Sequence, residues 1–193
     1  MTHFEELVRN NRSCRGYDET CRVTREELLQ MVDCARLTAS TMNIQPLKYC
    51  LGPESEQVRH VLGTARFGGA LAGRKLPGDN RWPTAFLLIC QDMAVNDNLE
   101  LFRIDVGIVA QTILLRATEM GLGGCMMSTF QEAKLREMLS LPERVVPVLL
   151  LALGKPAEEI VLVDAEEGGS TKYYRDKQGT HVVPKRKVNE LVL

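Results

Sequence analysis

Residues 84–91 read Thr-Ala-Phe-Leu-Leu-Ile-Cys-Gln, and this short apolar run decides the fold class. A continuous run of this length, without the polar alternation of a half-exposed strand, predicts a strand that is buried on both faces. Residues 99–120 follow as the longest helical pattern, apolar on nearly every face, which predicts a central helix or a subunit contact. Gly121 ends this pattern, as glycine commonly does just past a helix.

Short helices and strands are predicted on both sides of this pair. Capping boxes of Thr2 with Glu5 and of Thr24 with Glu27 predict two early helices, the second ending near Thr38. The remaining predicted elements are strands at 47–51 and 145–153 and helices at 54–62 and 131–139. Because helices and strands do not alternate as βαβ units, we predict one α+β domain over residues 1–193, with a small central mixed or antiparallel sheet surrounded by helices.

Two segments are predicted to lie outside the core. Residues 66–82 are rich in glycine and basic side chains, which favours a loop or a lid. Residues 160–193 form a polar tail, and His181 within it is expected at the surface.

Bulk composition excludes several classes of function. The net charge of −1 over 193 residues does not favour nucleic acid or an anionic membrane as a partner. The apolar runs are too short to cross a bilayer, and the first residues do not resemble a signal peptide. Six cysteines are scattered without metal-ligand spacing. These observations predict a reduced, cytoplasmic protein without a metal site.

Residues 11–15 read Asn-Arg-Ser-Cys-Arg and follow the first predicted helix directly. Arg12, Ser13 and Arg15 place two guanidinium groups and a hydroxyl within one turn of backbone, which suits a phosphate. The alternative is a solvated basic turn. The late basic cluster at 185–187 is either a solvated surface or part of the same phosphate site, since an arginine from the C-terminal tail can close such a site.

Residues 39–46 read Ala-Ser-Thr-Met-Asn-Ile-Gln-Pro and follow the second predicted helix. Ser40, Asn43 and Gln45 can hydrogen-bond to the edge of a polar ring, although such a stretch is often only a polar loop. A phosphate-binding turn together with a segment that contacts a ring edge indicates a nucleotide-like cofactor.

Residues 121–127 read Gly-Leu-Gly-Gly-Cys-Met-Met. They are not a dinucleotide-binding fingerprint, because they follow a helix rather than a strand. The stretch is either a helix cap or a place where backbone approaches a flat ligand closely.

In this order the segments resemble the flavin-dependent nitroreductase family over essentially the whole chain. The matching residues are Arg12-Ser13-Cys14-Arg15 with Tyr17, then Ser40, Asn43, Gln45 and Pro46, then 121–123, then Gly154 to Pro156, and finally Pro184 to Arg186. Many members carry arginine where this chain has Asn11, which would leave one charge fewer near a phosphate.

The resemblance implies a nitroreductase-like fold that is dimeric and a cofactor site for FMN. Arg12, Ser13, Arg15 and Arg186 would bind the FMN phosphate, and Asn43 the pyrimidine side of the ring. Ser40 and Gln45 belong to the same ring-facing loop, and the stretch containing Met126, Met127 and Ser128 would line the edge near N5. The flavin would lie at the interface of a homodimer and contact both chains.

The resemblance also implies an activity. Members pass electrons from NADH or NADPH through FMN to nitroaromatics, quinones or related small-molecule acceptors in a ping-pong cycle. No catalytic side chain is needed, because the flavin carries the chemistry. Two alternatives stay open: a specialised reductive dehalogenase or ene-reductase of the same family, and a flavin-binding or storage protein without turnover.

Overall fold

The computed structural model describes residues 1–53, 56–67 and 76–193, and its main sheet is antiparallel. β3 (Ala85–Asp92) lies between β2 (Leu47–Gly52) and β5 (Val145–Pro156). The long β5 also pairs with β4 (Gly123–Met127) and, at its end, with β1 (Tyr17–Asp18). One strand therefore aligns the N-terminal turn with the glycine-rich stretch.

Helices cover both faces of this sheet, and β3 is buried along its whole length, as predicted. Ala85, Leu87 and Ile89 face a core shared with α2 (Arg25–Ala35) and α4 (Arg103–Glu119). The alternate residues Phe86, Leu88 and Cys90 face a core shared with α3 (Glu56–Leu62) and α5 (Glu132–Met138). α1 (His3–Asn10) packs on α4. The α+β prediction is confirmed.

Local signals placed the first helices correctly but misplaced the start of α4. Both predicted capping boxes are present, at Thr2 and at Thr24. α4 begins at Arg103 rather than Leu99 because asparagine side chains bond to nearby backbone instead. Asn96 Oδ1 accepts from the Asn98 N–H at 3.0 Å, and Asn98 Oδ1 accepts from the Leu101 N–H at 3.1 Å. α2 similarly ends at Ala35, short of the predicted Thr38.

The polar tail is more structured than its composition indicated. It forms a small sheet in which β8 (His181–Lys185) pairs in parallel with β6 (Ile160–Asp164) and antiparallel with β7 (Tyr174–Arg175). The prediction that His181 lies at the surface is wrong, since only 2% of this residue is exposed.

Gly124 allows β4 to sit tightly under α4. A Cβ atom there would lie 2.6 Å from Leu114 Cδ2 and 2.7 Å from the carbonyl oxygen of Ala152. Close approach is therefore required at this glycine by packing within the protein. Gly154 similarly makes room for the ring of Tyr17, whose Cδ1 would lie 2.9 Å from an added Cβ.

Part of the predicted lid at 66–82 lies outside the described residues, namely 68–75, as do residues 54–55 of the predicted third helix. In the part of the chain that is described, no helix combines the length and apolarity needed to cross a membrane. Across residues 1–53, 56–67 and 76–193, no cluster of His, Cys, Asp or Glu is suited to a metal ion.

Candidate functional site

A cavity of about 350 Å³ lies between the N-terminal turn, α4, β4 and the tail sheet, and we call it the cation cavity. Its positively charged lining consists of Arg12, Arg15 and Lys185. Its uncharged polar and apolar lining includes Ser13, Gln111, Leu114, Met126, Tyr173 and His181. An anionic group at one end of a flat apolar molecule suits this arrangement.

The N-terminal turn reaches this cavity because β4 holds its backbone. The Cys14 N–H donates to the Gly124 carbonyl at 2.9 Å, and Ser13 forms an isolated parallel bridge with Gly124. The Tyr17 hydroxyl donates back to the Cys14 carbonyl at 2.6 Å, from a fully buried ring. Arg12, Ser13 and Arg15 are thereby brought together at the cavity wall, next to Met126.

Arg15 is a buried cation whose hydrogen-bonding capacity is incompletely used. Its guanidinium carbon lies 5.1 Å from the centre of the Tyr173 ring, and Nη1 donates to the Ser13 carbonyl at 3.2 Å. Its Nε is buried without a hydrogen-bond partner. Since buried donors are almost always satisfied, an unpaired Nε beside a cavity is unusual.

The other basic residues considered for the phosphate site differ in whether they line the cavity. Arg12 Nη2 donates to the Val8 carbonyl at 3.0 Å, at the end of α1, while the residue lines the cavity. In the tail, Lys185 lines the cavity, whereas the neighbouring Arg186 lies 3.5 Å from Glu190. A role for Arg186 in binding phosphate stays a prediction.

Strand alternation separates the predicted residues of β4. Met126 is 37% exposed and lines the cavity, whereas Met127 is buried in the core beside Leu150. Ser128 is exposed just after the strand ends. Cys125 is also buried, and burial raises the pKa of its thiol, which disfavours a role as a nucleophile.

The second predicted segment, residues 40–45, forms a separate strained loop. Met42, Asn43 and Gln45 have φ values of 50°, 55° and 54°, which are costly for residues with side chains. Gln45 Nε2 donates to Asn43 Oδ1 at 3.0 Å, and both residues are exposed. Backbone strain at exposed polar residues points to a role in binding.

Asp105 holds this loop from the first turn of α4. Its carboxylate accepts from Ser40 Oγ at 2.7 Å, from the Thr41 N–H at 2.9 Å and from Thr41 Oγ1 at 2.6 Å. Burial raises the pKa of this carboxyl, but the hydrogen bonds from Thr41 and Ser40 outweigh it, so the net pKa lies below its ordinary value.

Asp105→Asn is expected to lower the free energy of unfolding at neutral pH by about 1–3 kcal/mol, because an amide nitrogen replaces one acceptor oxygen. The carboxylate stabilises the fold above its unfolded pKa of about 3.9, and this contribution is lost as pH falls through the lower folded value. Denaturant unfolding from pH 7 to pH 3 should show the two proteins converging in acid. An equal gap at all pH values would contradict this assignment, and the exposed Asp97→Asn is the control.

The loop and the cation cavity lie on opposite sides of α4. Asp105 and Val109 line the small cavity beside the loop, whereas Gln111 and Leu114 line the cation cavity. At about 100° per residue these two pairs face nearly opposite directions, across a helix about 10 Å wide. A single planar ring is thus poorly placed to contact both halves within one chain.

Asn11, where the chain departs from the nitroreductase pattern, has a structural role. It is buried, and its Nδ2 donates at 2.9 Å both to the Leu114 carbonyl and to Thr118 Oγ1. Its Oδ1 accepts from Gln111 Nε2 at 3.0 Å. Asn11 therefore ties the end of α1 to α4 and shapes the cavity wall.

The sequence predictions did not include Asp105, Tyr173 or His181 in these sites, and they included Lys185 only within the basic cluster at 185–187. Asp105 falls within the helical pattern at 99–120, where nothing local marks it as a contact for another segment. The tail residues were missed because their strands are short and carry charge. The apolar runs Ile160–Val163 and Val182–Val183 were the available signal for strands there.

Comparison with known proteins supports one family. The model of the Nitroreductase family matches residues 8–81 and 83–155. An FMN reductase (NADPH) from Bacillus subtilis is 25% identical over 177 residues, covering 81% of this chain and 67% of the relative. A nitroreductase family protein from Clostridium difficile 630 superposes with a TM-score of 0.64 at 25% identity, covering 81% of this chain and 86% of the other.

An FMN-dependent nitroreductase from Clostridium difficile R20291 superposes with the same TM-score of 0.64 at 22% identity, covering 79% and 87% of the two chains, which supports the fold alone. The family model spans the N-terminal turn, the strained loop, α4, β4 and most of β5. The predicted nitroreductase-like fold is therefore confirmed, and this chain belongs to the nitroreductase family.

Proposed function

We propose that this protein is an FMN-dependent oxidoreductase that uses NADH or NADPH to reduce nitroaromatics, quinones or related acceptors in a ping-pong cycle. The observation that carries the proposal is the cation cavity. It combines Arg12, Arg15 and Lys185 with the hydroxyl of Ser13 and the exposed side chain of Met126. The family membership and the name of the Bacillus subtilis relative, an FMN reductase (NADPH), support the same chemistry.

The cavity fits one terminal phosphate. Arg15 Nε is a buried donor without a partner, and Arg12 and Lys185 bring further positive charge to the same wall. A charge-assisted contact to a phosphate oxygen would satisfy the free donor. The glycine-rich stretch at 121–124 runs into β4 rather than into the N-terminus of a helix, so it is not a pyrophosphate-binding turn. This favours FMN over FAD.

The bound flavin would supply hydride and electron transfer, and the protein would supply position and charge. Arg12, Ser13 and Arg15 would hold the phosphate, with Arg186 as a further predicted contact beside Lys185. Met126 would offer an apolar surface to the ring, while the backbone of Met127 and Ser128 would line its edge. Asn43, with Ser40 and Gln45 supporting the loop, would donate to the pyrimidine side.

A homodimer would bring the two half-sites together. The strained loop faces away from the cation cavity within one chain, so the loop of a second copy would complete the ring-binding side. Exposed apolar side chains are available for such a contact: Ile104 on α4 is 73% exposed and Phe4 on α1 is 65% exposed. A surface of this kind favours association.

The test is to purify the protein, release any bound chromophore by heat and identify it by chromatography. We expect FMN, and we expect anaerobic NADH or NADPH to bleach the flavin absorbance and a nitroaromatic or quinone to restore it. FAD as the sole flavin, or an apoprotein that does not take up FMN, would refute the proposal. Flavin that binds but is never reduced by either nucleotide would instead support the storage alternative.

A further inference from the structure

His181 lies on the wall of the cation cavity as a buried but unpartnered imidazole. The residue is only 2% exposed, and neither Nδ1 nor Nε2 has a hydrogen-bond partner. An imidazole always offers at least one donor, and it offers two when protonated. Because buried polar atoms are almost always satisfied, these unpaired ring nitrogens on a residue that lines a cavity point to a ligand for one of them.

The surrounding contacts fix the ring without using its nitrogens. The Tyr173 ring packs edge-on against the imidazole, with ring centroids 5.2 Å apart. The same tyrosine ring also contacts Arg15, whose guanidinium carbon lies 5.1 Å from the ring centre. The backbone N–H of His181 donates to the Glu159 carbonyl at 2.9 Å, which anchors the start of β8. His181 and Arg15, each with an unpartnered buried nitrogen, thus share one aromatic neighbour and one cavity.

Charged groups from several elements set the protonation of this imidazole. Burial lowers its pKa, Glu158 opposes that effect, and Arg15 and Arg175 reinforce it. Other charged or titratable groups near the cavity are Arg12 in the N-terminal turn, Tyr173 before β7, Glu159 before β6 and Lys185 on β8. The imidazole is therefore neutral at pH 7 before an anion binds.

We propose that His181 is a further phosphate-contacting residue of the cation cavity, which takes up one proton from solvent as the phosphate of the cofactor binds. This inference rests on the proposed function, because it names His181 as a recognition residue for the phosphate end of FMN. The proton adds to the free ring nitrogen, so that both nitrogens then carry hydrogen. The phosphate dianion compensates the new charge.

The linkage between proton and ligand has a definite sign. A bound dianion raises the pKa of His181 above its value in the free protein. The affinity for FMN therefore increases as pH falls through the pKa of the complex, and it levels off below the pKa of the free protein. Protonation of the phosphate itself, near pH 6, adds a pH dependence of its own, so the affinities are compared above that pH. Riboflavin, which lacks the phosphate, should show no such dependence.

The first experiment observes wild-type protein by NMR with isotopically labelled histidine. The chain contains only three histidines, so each imidazole can be followed by itself. We expect FMN to raise the pKa of His181, riboflavin to leave it unchanged, and His3 and His60 to respond to neither. A His181 pKa that is the same with and without bound FMN would overturn the inference while leaving FMN binding intact.

The second experiment compares His181→Gln with His60→Gln, an exposed residue on α3, as the matched control. The His181 variant should bind FMN about 10-fold more weakly at pH 7 and lose the pH dependence, whereas riboflavin affinity should stay the same. Isothermal titration in buffers of different ionisation enthalpy should show proton uptake only when His181 is present. Wild-type pH dependence in the variant would overturn the inference.

Failure of the proposed function would give a different result. Protein that binds neither FMN nor riboflavin would refute that function, and inorganic phosphate then serves as the NMR probe. A His181 pKa that rises with added phosphate would still support a phosphate site here. A pKa that phosphate leaves unchanged would refute the phosphate contact as well.

Discussion

Arg15→Ala is expected to raise the dissociation constant for FMN by about 10- to 150-fold, the value of one charge-assisted contact to phosphate. The fold should survive, because the Glu158 carboxylate keeps its ion pair with Arg175 and its bond from the backbone N–H of residue 15. Flavin fluorescence titration measures the affinity, and circular dichroism checks the fold.

The specificity of this loss depends on two comparisons. Riboflavin affinity should change much less than FMN affinity, since the removed cation faces the phosphate. Arg15→Lys should recover only part of the binding, because an ammonium cannot present a planar fork. Arg136→Ala removes an arginine paired with Glu132 on α5 and serves as the control. Unchanged FMN affinity in Arg15→Ala would place the phosphate elsewhere.

Mixing two defective chains is expected to restore flavin reduction in heterodimers. If Arg15 of one copy and Asn43 of the other complete the same site, a heterodimer of Arg15→Ala with Asn43→Ala contains one intact site and one doubly defective site. Co-expression with two affinity tags isolates this species. Stopped-flow reduction by NADH or NADPH should then show about half of the sites reacting at the wild-type rate.

The homodimers of each variant provide the baseline for this experiment. Arg15→Ala should bind FMN weakly, and Asn43→Ala should bind it but be reduced slowly, because a donor to the ring edge is lost. A heterodimer that reacts no faster than the two homodimers would show that Arg15 and Asn43 serve one flavin within a single chain. Monomeric, flavin-loaded protein in sedimentation would contradict the shared site altogether.

Much of the fold could be predicted because its signals are local. The run at 84–91 is apolar on both strand faces, and each face of β3 proves to meet its own layer of helices. Capping boxes at Thr2 and Thr24 depend on residues only three positions apart. Such features are fixed by neighbours along the chain, so reasoning from sequence can find them.

The parts that could not be predicted depend on distant partners. Gly123–Met127 has little intrinsic preference for a strand, and it becomes one by pairing with β5. Asp105 is a charged residue within an apolar helix, and its role becomes clear only from its hydrogen bonds to the loop at 40–45. His181 has no local feature that marks it as buried. In each case a contact between residues far apart in sequence determines the role.

β5 also determines when the cation cavity can exist during synthesis. Its register pairs Tyr17 with Pro156, so the N-terminal turn stays without its strand partner until most of the chain has been made. The wall that contains His181 and Lys185 is translated later still. Pairings between such distant residues form slowly. A nascent chain in which these residues have not yet left the ribosome therefore lacks the finished cavity and has no complete site for a ligand.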